Sequence, residues 1–325
     1  MVNNASKNMS RHEDSPNPRI HFFLLFAILL TIITIANNSL VVLAYKVNKR
    51  LRNRAILILV SLALSDFLVG AISMPLWIYM TTSHDRMPLG LYLFYMSFDI
   101  FSAFASILHL TWVSMERFLA IAYPLRHRKF GDKGYLGMLL SLWLVSGLVA
   151  GLFPVQYHYN WNKGFALMVF INGFILPLIT LTIVYTSIYR IVNSSVFQGI
   201  HNRGTRRFQA EKKLAKTIIT LCLLFFITWC PFFIVSLLGT FRPELLSAPS
   251  PIFIWYITVF VKGMHYSNSS LNTFVYAFSS NEMRKTFVSL LRCKRNIVFP
   301  TPTKNRHRIK RRAKVFHLQN SVDSV

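Results

Sequence analysis

The sequence predicts an all-α membrane protein, a bundle of seven transmembrane helices followed by a short amphipathic helix at the inner leaflet. Three observations predict it. Of 325 residues 53% are hydrophobic, 28 of them Phe, and only 14% are charged, a composition wrong for a water-facing surface. Apolar stretches long enough to cross the hydrocarbon core, about 20 residues, recur seven times along the chain. The basic residues behind a net charge of +25 lie between those stretches and seldom within them.

The elements follow in order. Residues 1–20 are polar, show no cleavable signal pattern, and carry Asn4-Ala-Ser and Asn8-Met-Ser, two acceptor patterns for N-glycosylation. The apolar runs then cover 21–45, 55–80, 91–122, 135–155, 165–192, 214–240 and 251–278. Backbone groups must pair internally in lipid, and these runs exceed barrel-strand length, so each is predicted to be a helix. The first, third and fifth connections, with the segment from Arg284 to Lys314, hold 28 of the 36 Lys and Arg. That side is predicted to be cytoplasmic and the N-terminus extracellular, in a multi-pass protein of the plasma membrane. The chain thus divides into an extracellular N-terminus (1–20), the bundle (21–280), an amphipathic juxtamembrane helix (281–293) and a basic cytoplasmic tail (294–325). Cys293 closes the amphipathic stretch and is a candidate palmitoylation site.

The charge map also excludes functions. Clusters such as Arg306-His-Arg-Ile-Lys-Arg-Arg312 adjoin a membrane span, where anionic lipid attracts them, so membrane lipid and not nucleic acid is the predicted partner. No repeat of broken helices marks a small-solute transporter, which stays as the alternative class. His109 has no HxxxH or HExxH neighbour, and no catalytic constellation appears, so no enzyme activity is predicted. The three cysteines, Cys222, Cys230 and Cys293, offer no disulfide framework.

Ionisable residues inside spans are costly and are functional candidates by default, which singles out Asp66, Asp99, Glu116-Arg117 and Lys262. They stand in an ordered pattern. Ser61-Leu-Ala-Leu-Ser-Asp66 lies in the second span, and Ser114-Met-Glu-Arg117-Phe with Ala120-Ile-Ala-Tyr-Pro124 ends the third. Phe225-Phe-Ile-Thr-Trp-Cys-Pro231 lies in the sixth, and Asn268-Ser-Ser-Leu-Asn-Thr-Phe-Val-Tyr276 in the seventh. With Asn38, Trp143, Pro177 and Tyr185, this set resembles the signature of rhodopsin-like (class A) G-protein-coupled receptors across all seven spans.

The resemblance implies a receptor that binds a small-molecule agonist outside and activates a heterotrimeric G protein inside, with arrestin as a further partner. It implies an activation switch of Glu116, Arg117, Tyr185, Glu211 and Tyr276, in which Arg117 bridges Glu116 and Glu211 at rest and activation swings the sixth helix about Pro231. It also implies a mid-membrane sodium ion, an allosteric modulator, among Asp66, Ser106, Trp229, Asn268 and Asn272; a neutral, hydrogen-bonded Asp66 is the alternative.

For the ligand, Asp99 falls about five helical turns outside Arg117, in the outer half of the bundle, where a carboxylate can anchor a protonated amine. With Trp229, Phe232, Phe233 and Tyr266 it resembles the pocket of the biogenic-amine receptor branch. Departures bear on this reading. Tyr92 stands where the family places the cysteine of its extracellular disulfide, and Thr273 replaces the seventh-span proline. Val169, Phe170 and Gly173 replace the serines of catecholamine receptors. Lys262 lies one turn outward of Tyr266, where it is expected to snorkel to water and leave Asp99 free for a protonated amine, the expected agonist; the alternative is that it neutralises Asp99 and suits a zwitterionic, acidic or peptide ligand. Tyr266 occupies the place of the opsin Schiff-base lysine, which sets an opsin aside.

Overall fold

A computed structural model of the chain describes residues 18–83, 87–129, 131–193, 206–279 and 281–292. Among these, α1 is Pro18–Val47 and opens on proline, whose missing N–H costs nothing at a helix start. Helix α2 runs over 54–82 and α5 over 162–193; each is interrupted by a π turn, Val69–Ser73 and Ile171–Ile175. Both turns lie just ahead of a proline, Pro75 or Pro177, whose ring and absent N–H break the regular i→i−4 ladder; the wider turn absorbs the mismatch. The remaining elements are α3 (Leu89–Ala122), α4 (Asp132–Tyr159), α6 (Arg206–Phe241), α7 (Pro251–Ser279) and α8 (Asn281–Leu291). Helix α3 lies at the centre, against α2, α4 and α5, while α7 packs on α1 and α6.

Side chains are sorted the reverse of a soluble protein. Leu148 is 72% exposed, while Asn38 and Asp66 are fully buried. Lipid is the solvent such a surface requires, and the polar groups are left to satisfy one another inside. Among the described residues six helices are long and apolar enough to cross a membrane on composition alone. The seventh, α7, spends its inward face on His265, Asn268, Ser269, Ser270, Asn272 and Thr273, all buried, and its length and packing make it the seventh member of the bundle. Close approach of α1 and α2 depends on Gly70, where a Cβ would stand 2.9 Å from Ile35 Cγ1.

One expectation is corrected. The fourth and fifth spans were predicted to be separated by 156–164, but α4 continues to Tyr159 and α5 begins at Asn162, leaving Asn160 and Trp161 as the whole connection. Nothing in Gln156–Tyr159 breaks a helix, and Asn160, in the left-handed conformation at φ 54°, closes it. Where the family's disulfide would tie α3 to this connection, Tyr92 instead packs edge-on against Phe153 and Tyr157 of α4, ring centroids 6.3 Å apart in each pair. Thr273, at the place of the expected seventh-span proline, donates its hydroxyl to Asn38 Oδ1 (3.0 Å), and Asn38 Nδ2 donates to the Ser269 carbonyl (3.1 Å), so hydrogen bonds join α1 and α7.

Candidate functional site

Polar groups gather at three depths. The outer level is a cavity of about 530 Å³ whose lining comes from α3, α4, α5, α6 and α7. Trp229, Phe232 and Phe233 of α6 line it on either side of Pro231; Trp229 and Phe233 stack at 5.7 Å. Gly173 lets the α5 wall close, since Phe104 and Phe233 stand 3.3 and 3.4 Å from where its Cβ would be.

Asp99 and Lys262 form the charged wall of the cavity. Lys262 Nζ lies 2.5 Å from Asp99 Oδ2, over the rings of Phe232 and Tyr266 at 5.0 Å each. The expectation of a free Asp99 with Lys262 turned to water is therefore corrected. The two side chains are 7% and 12% exposed, and at that depth direct pairing outweighs the reach to the surface. Tyr266 does not line the cavity; it stands behind the acid, donating its hydroxyl to Asp99 Oδ1 (2.8 Å) with Tyr95 Oη 3.3 Å away. His265, which the sequence does not single out, lines the cavity between Trp229 (4.2 Å), Phe232 (4.8 Å) and Tyr266 (5.0 Å). Its place one residue before Tyr266 on an inward-facing turn was the available signal.

At mid-depth Asp66 is fully buried and accepts from Ser106 Oγ and Asn272 Nδ2, each at 2.9 Å. No basic side chain among the described residues forms an ion pair with it. Asn268, expected beside Asp66, takes a hydrogen bond from Thr228 Oγ1 at 3.4 Å. Carboxylate, hydroxyl and amide oxygens suit a hard monovalent cation, so the residues present fit a sodium ion. No group of three His, Cys, Asp or Glu able to hold a metal occurs among the described residues. His109 is engaged structurally, with Nε2 2.7 Å from Ser61 Oγ, to which Trp143 Nε1 also donates (3.1 Å).

At the end of the bundle away from the cavity Glu116 faces Arg117 at 3.3 Å. Two partners were not foreseen: His127, on the short helix Pro124–Lys129, is 2.9 Å from Glu116 Oε1, and Tyr135 Oη of α4 donates to the same oxygen at 3.2 Å. His127 and Tyr135 also meet at 2.8 Å. Tyr185 is half-buried against the cluster around Trp229. The side chains of Glu211 and Tyr276, and Asn4, Asn8 and Cys293 altogether, lie outside the described residues.

Comparison with known proteins supplies the frame for this geometry. The family described as "7 transmembrane receptor (rhodopsin family)" matches residues 37–276. Among similar proteins are a D(1)-like dopamine receptor of Takifugu rubripes, 28% identical across 83% of this chain and 70% of its own, and a histamine H2 receptor of Canis lupus familiaris, 27% identical across 86% and 82%. An adenosine receptor A2b of Gallus gallus is 27% identical across 84% of this chain and 89% of its own.

Proposed function

We propose, for a chain that belongs to the rhodopsin family of seven-transmembrane receptors, that it binds a small extracellular zwitterion in the outer cavity and activates a heterotrimeric G protein. The family is one of receptors and not of enzymes. The carrying observation is the Lys262–Asp99 pair on the cavity wall. Both Asp99 oxygens are engaged, by Lys262 and Tyr266, so a lone amine gains contact with the acid only by displacing a cation already there. A ligand with both an ammonium and a carboxylate exchanges one pair for two, each charge leaving water for a partner of opposite sign. The aromatic rings around the pair accept an aryl body. A protonated amine alone is the second reading, supported by relatives named for dopamine and histamine.

The test is a signalling screen of amines, amino acids and small carboxylates added outside cells, after an epitope at residue 1 has been read on intact cells to establish which side the N-terminus faces. We expect amino-acid-type ligands to lose potency at least about 30-fold on both Asp99→Asn and Lys262→Ala, from about 2 kcal/mol or more for each desolvated charge pair broken. Simple amines should gain on Lys262→Ala. Full response to simple amines on the wild type, indifferent to Lys262, would leave the amine reading in its place.

We also infer a sodium ion at Asp66, held by its carboxylate with Ser106 and Asn272 oxygens; bound there, it supplies the positive charge the buried carboxylate lacks. The purified receptor should melt about 2 °C or more higher in sodium chloride than in choline chloride of equal strength, by preferential binding to the folded state. Asp66→Asn should remove the difference. Equal melting of the wild type in the two salts would dismiss the ion.

A further inference from the structure

Besides Trp229 Nε1 on α6, two buried polar atoms on the cavity lining have no hydrogen-bond partner: Gln156 Oε1 on α4 and His265 Nδ1 on α7. Both residues are more than nine-tenths buried, at 6% and 5% exposure. Buried polar groups in folded proteins are almost always paired, and an exception needs a reason. The His265 ring is held in its aromatic stack on three sides. What both residues share is the cavity, which each lines.

We propose that Gln156 and His265 are ligand-binding residues, and that the ligand lies across the cavity with a hydroxyl or N–H donated to Gln156 Oε1 and a polar group of its head against His265 Nδ1. The head assignment rests on the zwitterion reading of the Asp99–Lys262 wall, which His265 adjoins by one helical turn. The tail assignment follows from the walls. The α5 wall near Gly173 is filled by the rings of Phe104, Phe170 and Phe233, so it offers the far end of a ligand no hydroxyl at Val169, Phe170 or Gly173. The buried amide of Gln156 takes over that recognition from the α4 side. The ligand class is then an aromatic zwitterion with a hydrogen-bond donor on the ring, a hydroxylated or amino-substituted aryl amino acid, and not an unsubstituted one.

The experiment uses the full-length receptor, purified as wild type, Gln156→Leu and His265→Phe. Each variant keeps roughly the volume of the side chain and deletes its polar atom. Without ligand, both should melt about 2 °C or more above the wild type, because an unsatisfied buried atom has been removed. Lower melting would mean that the atoms hold the fold together and would overturn the assignment. Binding is then read with two matched pairs, phenylalanine against tyrosine and phenethylamine against tyramine. On the wild type the hydroxylated member of the amino-acid pair should bind at least about tenfold more tightly, an advantage that vanishes in Gln156→Leu, while His265→Phe weakens both members about tenfold. Equal binding of tyrosine and phenylalanine by the wild type, or an advantage that survives Gln156→Leu, sinks the proposal. Asp99→Asn and Lys262→Ala report on the head separately. If they abolish binding while Gln156→Leu leaves the hydroxyl advantage intact, this inference fails and the zwitterion reading stands.

Discussion

Lys262→Ala is expected to destabilise the receptor by about 3–5 kcal/mol, more than removal of the whole pair. The ammonium lies 2.5 Å from a carboxylate that is almost completely buried, and taking it away leaves that charge with the Tyr266 hydroxyl alone. A buried charge stripped of its partner keeps its desolvation penalty and loses the attraction that offset it. Replacing both members, Lys262→Met with Asp99→Leu, removes the penalty as well and should come close to wild-type stability or exceed it. Unfolding of the detergent-solubilised single and double variants measures this. A double variant as unstable as Lys262→Ala would show that the pair is held for packing and not for charge.

Glu116→Gln should raise ligand-independent signalling about tenfold or more. Glu116 is 3% exposed and is shared by Arg117, His127 and Tyr135, which join the end of α3 to the following short helix and to the start of α4. Glutamine retains the shape and one acceptor but gives up the charge that holds Arg117. An ion pair that favours the resting arrangement by about 1.4 kcal/mol and is given up in the active one translates into that change of population. Nucleotide exchange on a co-expressed heterotrimeric G protein, at matched surface expression, is the readout. Tyr135→Phe, which deletes one neutral donor, should produce a smaller rise in the same direction. Basal exchange unchanged in Glu116→Gln would mean that the cluster does not restrain Arg117.

The helices were legible because lipid imposes one rule on all of them: about twenty predominantly apolar residues, with the basic connections gathered on one side. That rule locates α1 to α6 from composition, and it works less well for α7, whose inward face of Ser, Asn and His lowers its apolarity while its packing keeps it in the bundle. Asp99, Lys262 and Tyr266 were legible as a group through their spacing, but the contact between them was not. Whether a lysine reaches outward or across is decided by the helix facing it, a tertiary distance that no local pattern encodes. His127 and Tyr135 escaped notice for a related reason, since they sit in a short connection and at a helix start, and only the fold of that corner brings them onto Glu116. The length of the α4–α5 connection was misread because apolarity fades at 156–164 while helix formation does not. Gln156 and its neighbours are competent helix formers, and Asn160 sets the end.

That two-residue connection also governs time. A long segment folded over the mouth of a pocket must move aside before a ligand can leave, and it holds back arrivals as well. Asn160 and Trp161 are too few to form such a cover. Escape past this connection is then opposed by the contacts inside the cavity, and occupancy should follow the outside concentration within the dissociation time those contacts set. A receptor built this way reports how its stimulus is changing from moment to moment and keeps little memory of a pulse that has passed.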